Sequence, residues 1–501
     1  MNHDRPTGGI DMVTPAEQLL RAAWREGLGD VRAQPPDGYR LTDLPLNQAR
    51  VVERPTTPPH PADLSEHLFG PHPGLQAELH SAHTGHTLAH QRRQRRQHLW
   101  RALARHNHLT TFVDLVTRYV DDPNRRARWF ELLQPLGHPL HPCARTRLGW
   151  THHDMRSYDI ETPRPVALVV AYHDGALHRH DPDGLLTVDG RPATVMHPWQ
   201  WRTTDRGDLI DSGRRLPAWP TTSVRTLYSP DLNAYLKTSL DVSITSTRRT
   251  ITPRTARLTP PLSQHIQRHL ALPSHRLLEE RASTWHPADG NHTLVLRAPL
   301  PDTNDGVTVP CHALPSASPV TGRSIAAELA LADRRGPRRW WRDYVWTVLP
   351  PLFHLLVGHG IALEAHGQNC LVEFRSSRSW RLWSRDFGGV RLYRAHVPAV
   401  VRPESVGVWL TDFWGLRHHL SASLFHNHLA PIVVALSDDV GGSPSSWWRT
   451  VGRCLRGMGL PRTDRDFFER APLPGKALLT AKLKGATGVM LSAPNPLWSA
   501  S

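Results

Sequence analysis

LEAHGQNCLVEFRSSRSWRLWSRDFGGV, residues 363–390, concentrates more chemistry than any other stretch of the chain. Glu364, His366 and Gln368 alternate, so on an extended strand they share one face. Asn369 follows. An apolar run (Leu371, Val372, Phe374) leads into a polar turn at Arg375–Ser379, and a second run returns to Asp386 ahead of Phe387-Gly388-Gly389. Two strands joined this way bring a carboxylate, an imidazole, an amide and a second carboxylate to one end of a hairpin. Hard oxygen ligands beside hydrogen-bonding side chains suit Mg²⁺ and phosphate. The pattern predicts a nucleotide site built without a Walker loop. A purely structural polar network is the blander account, and it explains less of so dense a cluster.

Three further clusters lie upstream. GHPLHPCARTRLGW (137–150) places His138 and His141 three apart, each followed by proline, with Arg145 and Arg147 behind. Paired histidines are metal-ligand types, but the prolines disfavour a helix. A rigid loop presenting cations to a carboxylate is the better reading. In TTSVRTLY (221–228), Ser223, Arg225 and Thr226 combine two hydroxyls with a guanidinium fork that matches phosphate or carboxylate. In LKTSLDVSITSTRRT (236–250), Lys237, Ser239, Asp241, Ser243 and Thr245 alternate with apolar positions. The spacing predicts one half-buried strand with Lys237 and Thr245 on the same face, and Arg248 and Arg249 beyond.

Around these clusters the pattern is mixed. Thr14-Pro15-Ala16-Glu17 has the form of a helix start, with Thr as N-cap and Glu as its capping-box partner. Leu19, Leu20, Ala23 and Trp24 continue it as a helical stripe, and residues 30–62 read as a Pro-rich loop. The basic run 90–106 reads as a solvated helix with Leu99, Trp100 and Leu103 on its packed side, in preference to a nucleic-acid-binding arm. Phe112, Leu115, Val116, Tyr119 and Val120 have helical core spacing. VALVVAYHDG (166–175), LLTVDG (185–190) and TLVLRAPL (293–300) read as strands. Residues 342–359 read as a helix kinked or divided at Pro350-Pro351. Segments 404–437 and 444–458 are also predicted to be helical.

The chain has 501 residues, 39% hydrophobic and 21% charged, enough for two or three domains around a sizeable core. Its four scattered cysteines indicate neither a disulfide framework nor a zinc ribbon. The formal charge of +15 is compatible with an anionic partner, but 33 histidines and 45 prolines equally suggest a basic compositional bias. No leader pattern and no apolar run long enough to span a bilayer is read from the sequence. Cytoplasmic residence is the expectation, with neither a membrane nor a nucleic acid as partner.

Together the four clusters resemble the NRPS-independent siderophore synthetases, the aerobactin-synthetase-like IucA/IucC family. The family pattern GHPxHPxxKxRxG, SxRT, a Lys…Thr…Arg strand and EAHxQN followed by an Asp reads here as GHPLHPCARTRLG, Ser223-Val224-Arg225-Thr226, Lys237…Thr245…Arg249 and Glu364-Ala365-His366-Gly367-Gln368-Asn369…Asp386. The resemblance runs from about residue 130 to near the C-terminus. It implies an α+β fold likened to a cupped hand: a helical thumb (1–130), a β-rich fingers domain (131–335) and a mainly helical palm (336–501). It implies ATP held by Ser223, Arg225, Thr226, Lys237, His366, Gln368, Asn369 and Asp386, and Mg²⁺ on Glu364 and Asp386. A carboxylic acid would face His138, Thr245, Arg249 and His366, with Arg249, His366 and Lys237 as the catalytic groups. The implied reaction adenylates that acid, citrate or a related compound, and passes it to an amine or alcohol with release of pyrophosphate and AMP. A homodimer is allowed.

Two departures stand out. Arg145 occupies the place of the family's lysine, and Arg297 is followed by Ala298 in place of an acidic residue. Lys476 and Lys482 carry no role by resemblance. HGQN…RDFG also resembles a small-molecule kinase, but that reading finds no Gly-rich loop and leaves residues 137–250 unexplained. A basic nucleic-acid-binding protein, in turn, leaves the 363–390 hairpin without a purpose.

Overall fold

The computed structural model describes residues 13–498 except 135–136, 246, 303–305, 378, 394 and 396–409. The first helix, Pro15–Glu26, begins as its sequence predicts: Thr14 Oγ1 accepts from the Glu17 amide at 3.2 Å while the Thr14 amide donates to Glu17 Oε2 at 2.6 Å. Its stripe of Leu19, Leu20, Ala23 and Trp24 is buried. Within the expected loop 30–62 lies an antiparallel hairpin, Arg40–Leu44 with Gln48–Glu53. Leu46 and Asn47 both have positive φ at its turn, a geometry usually announced by Asn-Gly, and Leu-Asn hid it from the sequence.

The basic run belongs to a 34-residue helix, Pro73–His106. Trp100 is buried as expected, but Leu99 is 57% exposed and Tyr119 42% exposed, so both leave the predicted packed set. Several arginines of the run are tied to the protein's own carbonyls: Arg92 to Arg156, Arg96 to Glu161 and Arg101 to Pro319. Arg93 is itself buried. The charge therefore braces this helix against its neighbours.

The middle of the chain builds a nine-stranded sheet in the order His178–His180, Glu280–Trp285, Leu294–Arg297, Ala234–Thr238, Thr226–Ser229, Ile210–Pro220, Val166–Tyr172, Arg191–Met196, Thr187–Val188. Val166–Tyr172 is apolar at almost every position because both its faces are covered: Leu168 and Val170 enter one cluster, Val169 and Ala171 another. The predicted single strand over 236–250 is corrected. Ala234–Thr238 ends at Ser239, whose hydroxyl donates to the Gly290 carbonyl and accepts the Ile251 amide. Leu240–Ile244 then turns at Thr245, φ +60°, and pairs with Thr247–Arg249. Lys237 and Thr245 thus stand on different strands.

A second sheet has the order His275–Leu277, Arg381–Ser384, Cys370–Arg375, Gly306–Pro310. Cys370 pairs with Ser384, which confirms the hairpin read from 363–390 and puts Asn369 and Asp386 beyond its open end. Arg378, in its predicted turn, lies outside the described residues. Pro350 and Pro351 do not divide the helix Pro337–Phe353. Each proline removes an i−4 bond, and the helix widens into a π turn at His354–Gly358 instead of breaking. Of the predicted helix 404–437, residues 404–409 lie outside the described residues, Leu410–Thr411 is a short strand paired with Arg391–Tyr393, and the helical part runs as Phe413–Leu420, a π segment Ser421–Leu429 and Ala430–Asp439. Contrary to the sequence reading, the run Phe413–Asp439 has the length and hydropathy of a membrane span, but 78% of its apolar window is buried inside the molecule, as for a core helix. Residues 444–458 are predicted helical, and Pro444–Gly457 is. The largest core cluster lies here, around Trp340, Trp341, Trp447 and Trp448. All four cysteines are buried and free.

Candidate active site

The chain crosses from Ile210–Pro220 into Thr226–Ser229 through a tight turn with buried Val224 at φ +67°. Ser223 Oγ accepts the Thr226 amide at 3.2 Å and lies 3.2 Å from Thr221 Oγ1. The two hydroxyl-bearing residues of this motif therefore shape the turn, and the turn presents Arg225. Arg225 Nη1 donates to the carbonyls of Arg249, 2.9 Å, and Thr250, 3.1 Å. The second and third sequence clusters are thereby locked together.

Lys237 lies in a wholly buried strand and is itself 1% exposed. Its Nζ donates to Asp386 Oδ1 at 2.7 Å and stands 3.6 Å from Glu280 Oε1. Arg297 Nη2 bonds the same Glu280 oxygen at 3.0 Å and lies 3.6 Å from Asp386 Oδ2. Arg297 and Glu280 are register partners across the sheet. The acidic partner lacking at Ala298 thus comes from the next strand. Burial would raise the Asp386 pKa, but Lys237, then Arg297 and Arg225, hold it well below the usual carboxylate range. Asp386 keeps its side chain 27% exposed, and it adopts a left-handed φ of +67°. Gly388 follows close to Lys237 and Asp386, where a Cβ would lie 3.7 and 3.6 Å from their polar atoms.

Residues 363–369 are not a strand. Asn369 N donates to the His366 carbonyl at 2.9 Å and Asn369 Nδ2 to the Glu364 carbonyl at 3.1 Å, closing a compact loop. Gly367 packs so near the His312 backbone that a Cβ would sit 2.8 Å from its nitrogen. Period-two character survives only as burial: Leu363, Ala365 and Gly367 point in, while Glu364, His366 and Gln368 are half-buried. Gln368 Nε2 donates to Thr222 Oγ1 at 3.3 Å. Arg385 pins the open end of the hairpin, donating from Nη2 to buried Glu131 Oε1 at 2.6 Å and from Nε to the Gln368 carbonyl at 2.9 Å.

Glu364 Oε1 accepts from Lys476 Nζ at 3.2 Å. Burial would raise its pKa, but Lys476, His366 and His419 lower it to about 2. A side chain at Gly389 would collide with the Glu364 carboxylate. His366 is pushed down by burial, with Glu364 and Asp386 pulling the other way. It thus senses both carboxylates. His138 Nδ1 accepts the Leu140 amide at 3.2 Å, so its proton resides on Nε2. Burial, then His366, Lys476 and Arg25, push it to about 3 and keep it neutral. His141 repeats this arrangement, its Nδ1 accepting from Cys143 N at 2.9 Å.

Arg249 Nη2 donates to Thr245 Oγ1, 3.1 Å, and the Ile244 carbonyl, 3.3 Å, while its Nε is buried with no partner. Burial lowers it to about 9, reinforced by Arg225 and Arg147 and opposed by Asp386 and Glu364. Lys482 Nζ supports the same turn through the Thr245 carbonyl at 3.1 Å and pairs with Glu78. Arg145 faces inward: it is 4% exposed, 2.8 Å from Glu161 and 3.8 Å from Asp159.

Two groups of side chains emerge: Arg225, Lys237, Arg249 and Arg297 around Asp386, and Glu364, His366, His138 and Lys476 beside them. The Arg249 cation feels a carboxylate from each group. Ser223, Thr226 and Thr245 serve the turns that aim these groups. Arg297, Glu280, Arg385, Glu131, Lys476 and His419 were not picked as site residues from sequence. Each is an ionisable residue whose partner lies far away in sequence, so nothing in the sequence marks it until the elements are packed together. Among the described residues no three metal-ligand side chains surround one point. Two ionised, half-buried carboxylates, Glu364 and Asp386, fit a Mg²⁺ that takes its remaining ligands from water and phosphate. Orphaned Nε atoms on Arg249 and Arg297 fit an anion.

This is the fold of the siderophore synthetases. Petrobactin biosynthesis protein AsbB of Bacillus anthracis superimposes with a TM-score of 0.74 at 18% identity, over 97% of this chain and 96% of that one. The ATP-bound aerobactin synthetase IucA of Klebsiella pneumoniae superimposes with a TM-score of 0.71 at 18% identity, over 97% and 100%. The IucA / IucC family model matches residues 128–315, and a model described as ferric iron reductase FhuF-like transporter matches residues 338–484. The L-2,3-diaminopropanoate–citrate ligase of Staphylococcus aureus is 24% identical over 426 residues, 72% of this chain and 73% of the relative. Staphyloferrin A synthase of the same species is 25% identical over 307 residues, 52% of each. The chain spans about half the length of that relative and of the citryl-spermidine:spermidine ligase of Bacillus anthracis, which is 25% identical. Residues 128–315 thus match the IucA / IucC family model, and the chain is similar in sequence and in fold to siderophore synthetases.

Proposed function

We propose that this chain is an ATP-dependent ligase that adenylates a carboxylic acid, citrate or a related di- or tricarboxylate, and transfers the acyl group to an amine or hydroxyl. The observation that carries the reading is the meeting of Lys237, Arg297 and Asp386 at one point, with Arg225 and Arg249 alongside. Two anions repel, and a nucleotide and a carboxylate approach only where fixed cations offset their charge. A relative named for joining diaminopropanoate and citrate, and another named for joining citryl-spermidine to spermidine, support the acid and amine classes. An ATP-bound neighbour of the same fold supports the nucleotide. The reading places the reaction in the cytoplasm and keeps the three-part division at 130 and 335, with strands from the second and third parts sharing the smaller sheet.

In this reading Lys237, Arg225 and Arg297 hold the phosphates, and Gln368 and Asn369 border the nucleotide. Arg249 orients the acid through its free guanidinium edge, with His138 and His366 presenting neutral imidazoles to it. One carboxylate oxygen of the acid attacks the α-phosphorus, the bond to the bridging oxygen breaks, and pyrophosphate leaves. The acceptor then attacks the acyl carbon, loses its proton, and AMP departs. A divalent cation on Glu364 and Asp386 would supply electrophilic stabilisation of phosphate oxygens. Much of the acceleration is positional. The test is acid-dependent release of pyrophosphate across a panel of carboxylic acids, followed by amines and alcohols with the best acid. ADP as the nucleotide product would favour the kinase alternative.

A further inference from the structure

The π segment Ser421–Leu429 lies against the compact loop that carries Glu364 and His366. The Ala430 amide reaches back five residues to the Phe425 carbonyl. Pro431 has no N–H, so the Asn427 carbonyl lacks the α-helical donor it would take four residues on. That carbonyl accepts the Gly367 amide, at 3.3 Å. The next residue, His428, is 2% exposed. Its Nδ1 lies 3.1 Å from the Ala365 carbonyl, and its Nε2 lies 2.6 Å from the Tyr344 hydroxyl.

These bonds have one consistent direction. A carbonyl oxygen only accepts, so Nδ1 carries the proton. Burial pushes the ring down to about 4, so it is neutral, Nε2 is bare, and the Tyr344 hydroxyl donates to it. Tyr344 also hydrogen-bonds Cys311. The amide of the adjoining His312 donates to the Gly367 carbonyl at 3.0 Å. A closed circuit therefore runs from Ala365 through His428, Tyr344 and Cys311–His312 to Gly367, and the residue between its two ends is His366. The blander account is a core histidine that merely finds partners for its ring nitrogens. An apolar pair would fill the same space without the cost of burying polar groups. A fully satisfied buried network instead makes its surroundings rigid, and this one ends on the backbone between Glu364 and His366.

We propose that His428 is a positioning residue: its Nδ1–H, oriented by Tyr344, fixes the backbone at Ala365 and with it the directions in which Glu364 and His366 point. The consequence for catalysis rests on the reading of those two residues as metal and acid contacts.

Two measurements on the full-length chain test this. Amide hydrogen exchange over residues 363–369, followed by mass spectrometry, reads the anchoring and needs no turnover. Acid-dependent pyrophosphate release, followed against Mg²⁺, reads its consequence. In His428→Leu, exchange over 363–369 should quicken by about fivefold or more, while exchange over Ala234–Thr238 stays as in the parent chain. The kcat should fall by about 10- to 100-fold, the loss typical when the partner behind a ligand residue is removed. The Mg²⁺ needed for half-maximal rate should rise, and KM for the acceptor should not change. His428→Asn, whose amide replaces the Nδ1–H donor, should recover most of both losses, whereas a merely space-filling histidine would be better replaced by leucine. Circular dichroism verifies folding. If His428→Leu is not folded, Tyr344→Phe, which releases the tautomer, takes its place with the same expected direction. Unchanged exchange over 363–369, or unchanged kcat, in the folded variant overturns the inference. No pyrophosphate release from the parent chain would overturn the reaction reading instead, and the exchange comparison then decides the anchoring by itself.

Discussion

In the proposed reaction Arg249 serves the acid and Asp386 the nucleotide. The unpartnered Nε of Arg249 is a donor waiting for an anion. Arg249→Ala should lower acid-dependent pyrophosphate release by about 100-fold or more, the loss expected when a transition-state charge loses its donor. Asp386→Asn removes the carboxylate that Lys237 and Arg297 share and that a divalent ion would use. Its activity should fall with every acid tested, and raising Mg²⁺ should not restore it. Gly389→Ala isolates geometry from charge. Its new methyl group displaces the Glu364 carboxylate, so turnover should drop while the thermal midpoint changes little. Arg225, Lys237, Arg249, Glu364 and Asp386 are legible in the sequence because each motif keeps its residue type. Arg297 stands out there only through its neighbour Ala298, since its partner Glu280 is adjacent in register and not in sequence.

Elements hold these residues through a few buried ion pairs. Arg385 lies just beyond the hairpin strand Arg381–Ser384 and reaches Glu131 at the end of the helix Pro123–Glu131. Both partners are nearly inaccessible. Arg385→Met would strand the Glu131 carboxylate and should cost about 3–5 kcal/mol, read by urea unfolding. The hairpin itself was legible from its apolar runs and polar turn. The loop before it was not, because alternation of Glu364, His366 and Gln368 mimics a strand while Gly367 and Asn369 bend the backbone. The strand over 236–250 failed for a related reason. Thr245 takes a positive φ that its residue type does not announce, and the chain folds back there. Arg145 shows the converse: a motif position whose side chain is consumed by Glu161 and Asp159, as part of the scaffold under the site.

Across the whole molecule, burial has neutralised many histidines. His197, His275 and His426 are pushed to about 3 and His428 to about 4, in each case first by burial. Their folded values lie below the unfolded value near 6.5, so the unfolded chain binds more protons between them. Stability is therefore full above about pH 6.5 and is lost on acidification towards pH 3–4. Each such histidine contributes up to about 1.4 kcal/mol per pH unit in that window. Asp159 and Glu364, held at about 2, act with the same sign at lower pH. Thermal midpoints should decline steadily below about pH 6.5, and a midpoint flat from pH 7 to 4 would contradict the burial described. The overall architecture, helices ahead of a large sheet and a helical C-terminal part, was legible from shifts in periodicity. How the four-stranded sheet assembles was not, since parallel pairing of His275–Leu277 with Arg381–Ser384 joins segments about a hundred residues apart. The central claim is that all of this assembles one cleft where ATP and an organic acid react. Hydroxylamine trapping measures it most directly. With Mg-ATP and a suitable di- or tricarboxylate, the chain should yield a hydroxamate together with stoichiometric pyrophosphate and AMP. No hydroxamate from any acid in a broad panel, or ADP in place of AMP, would contradict it.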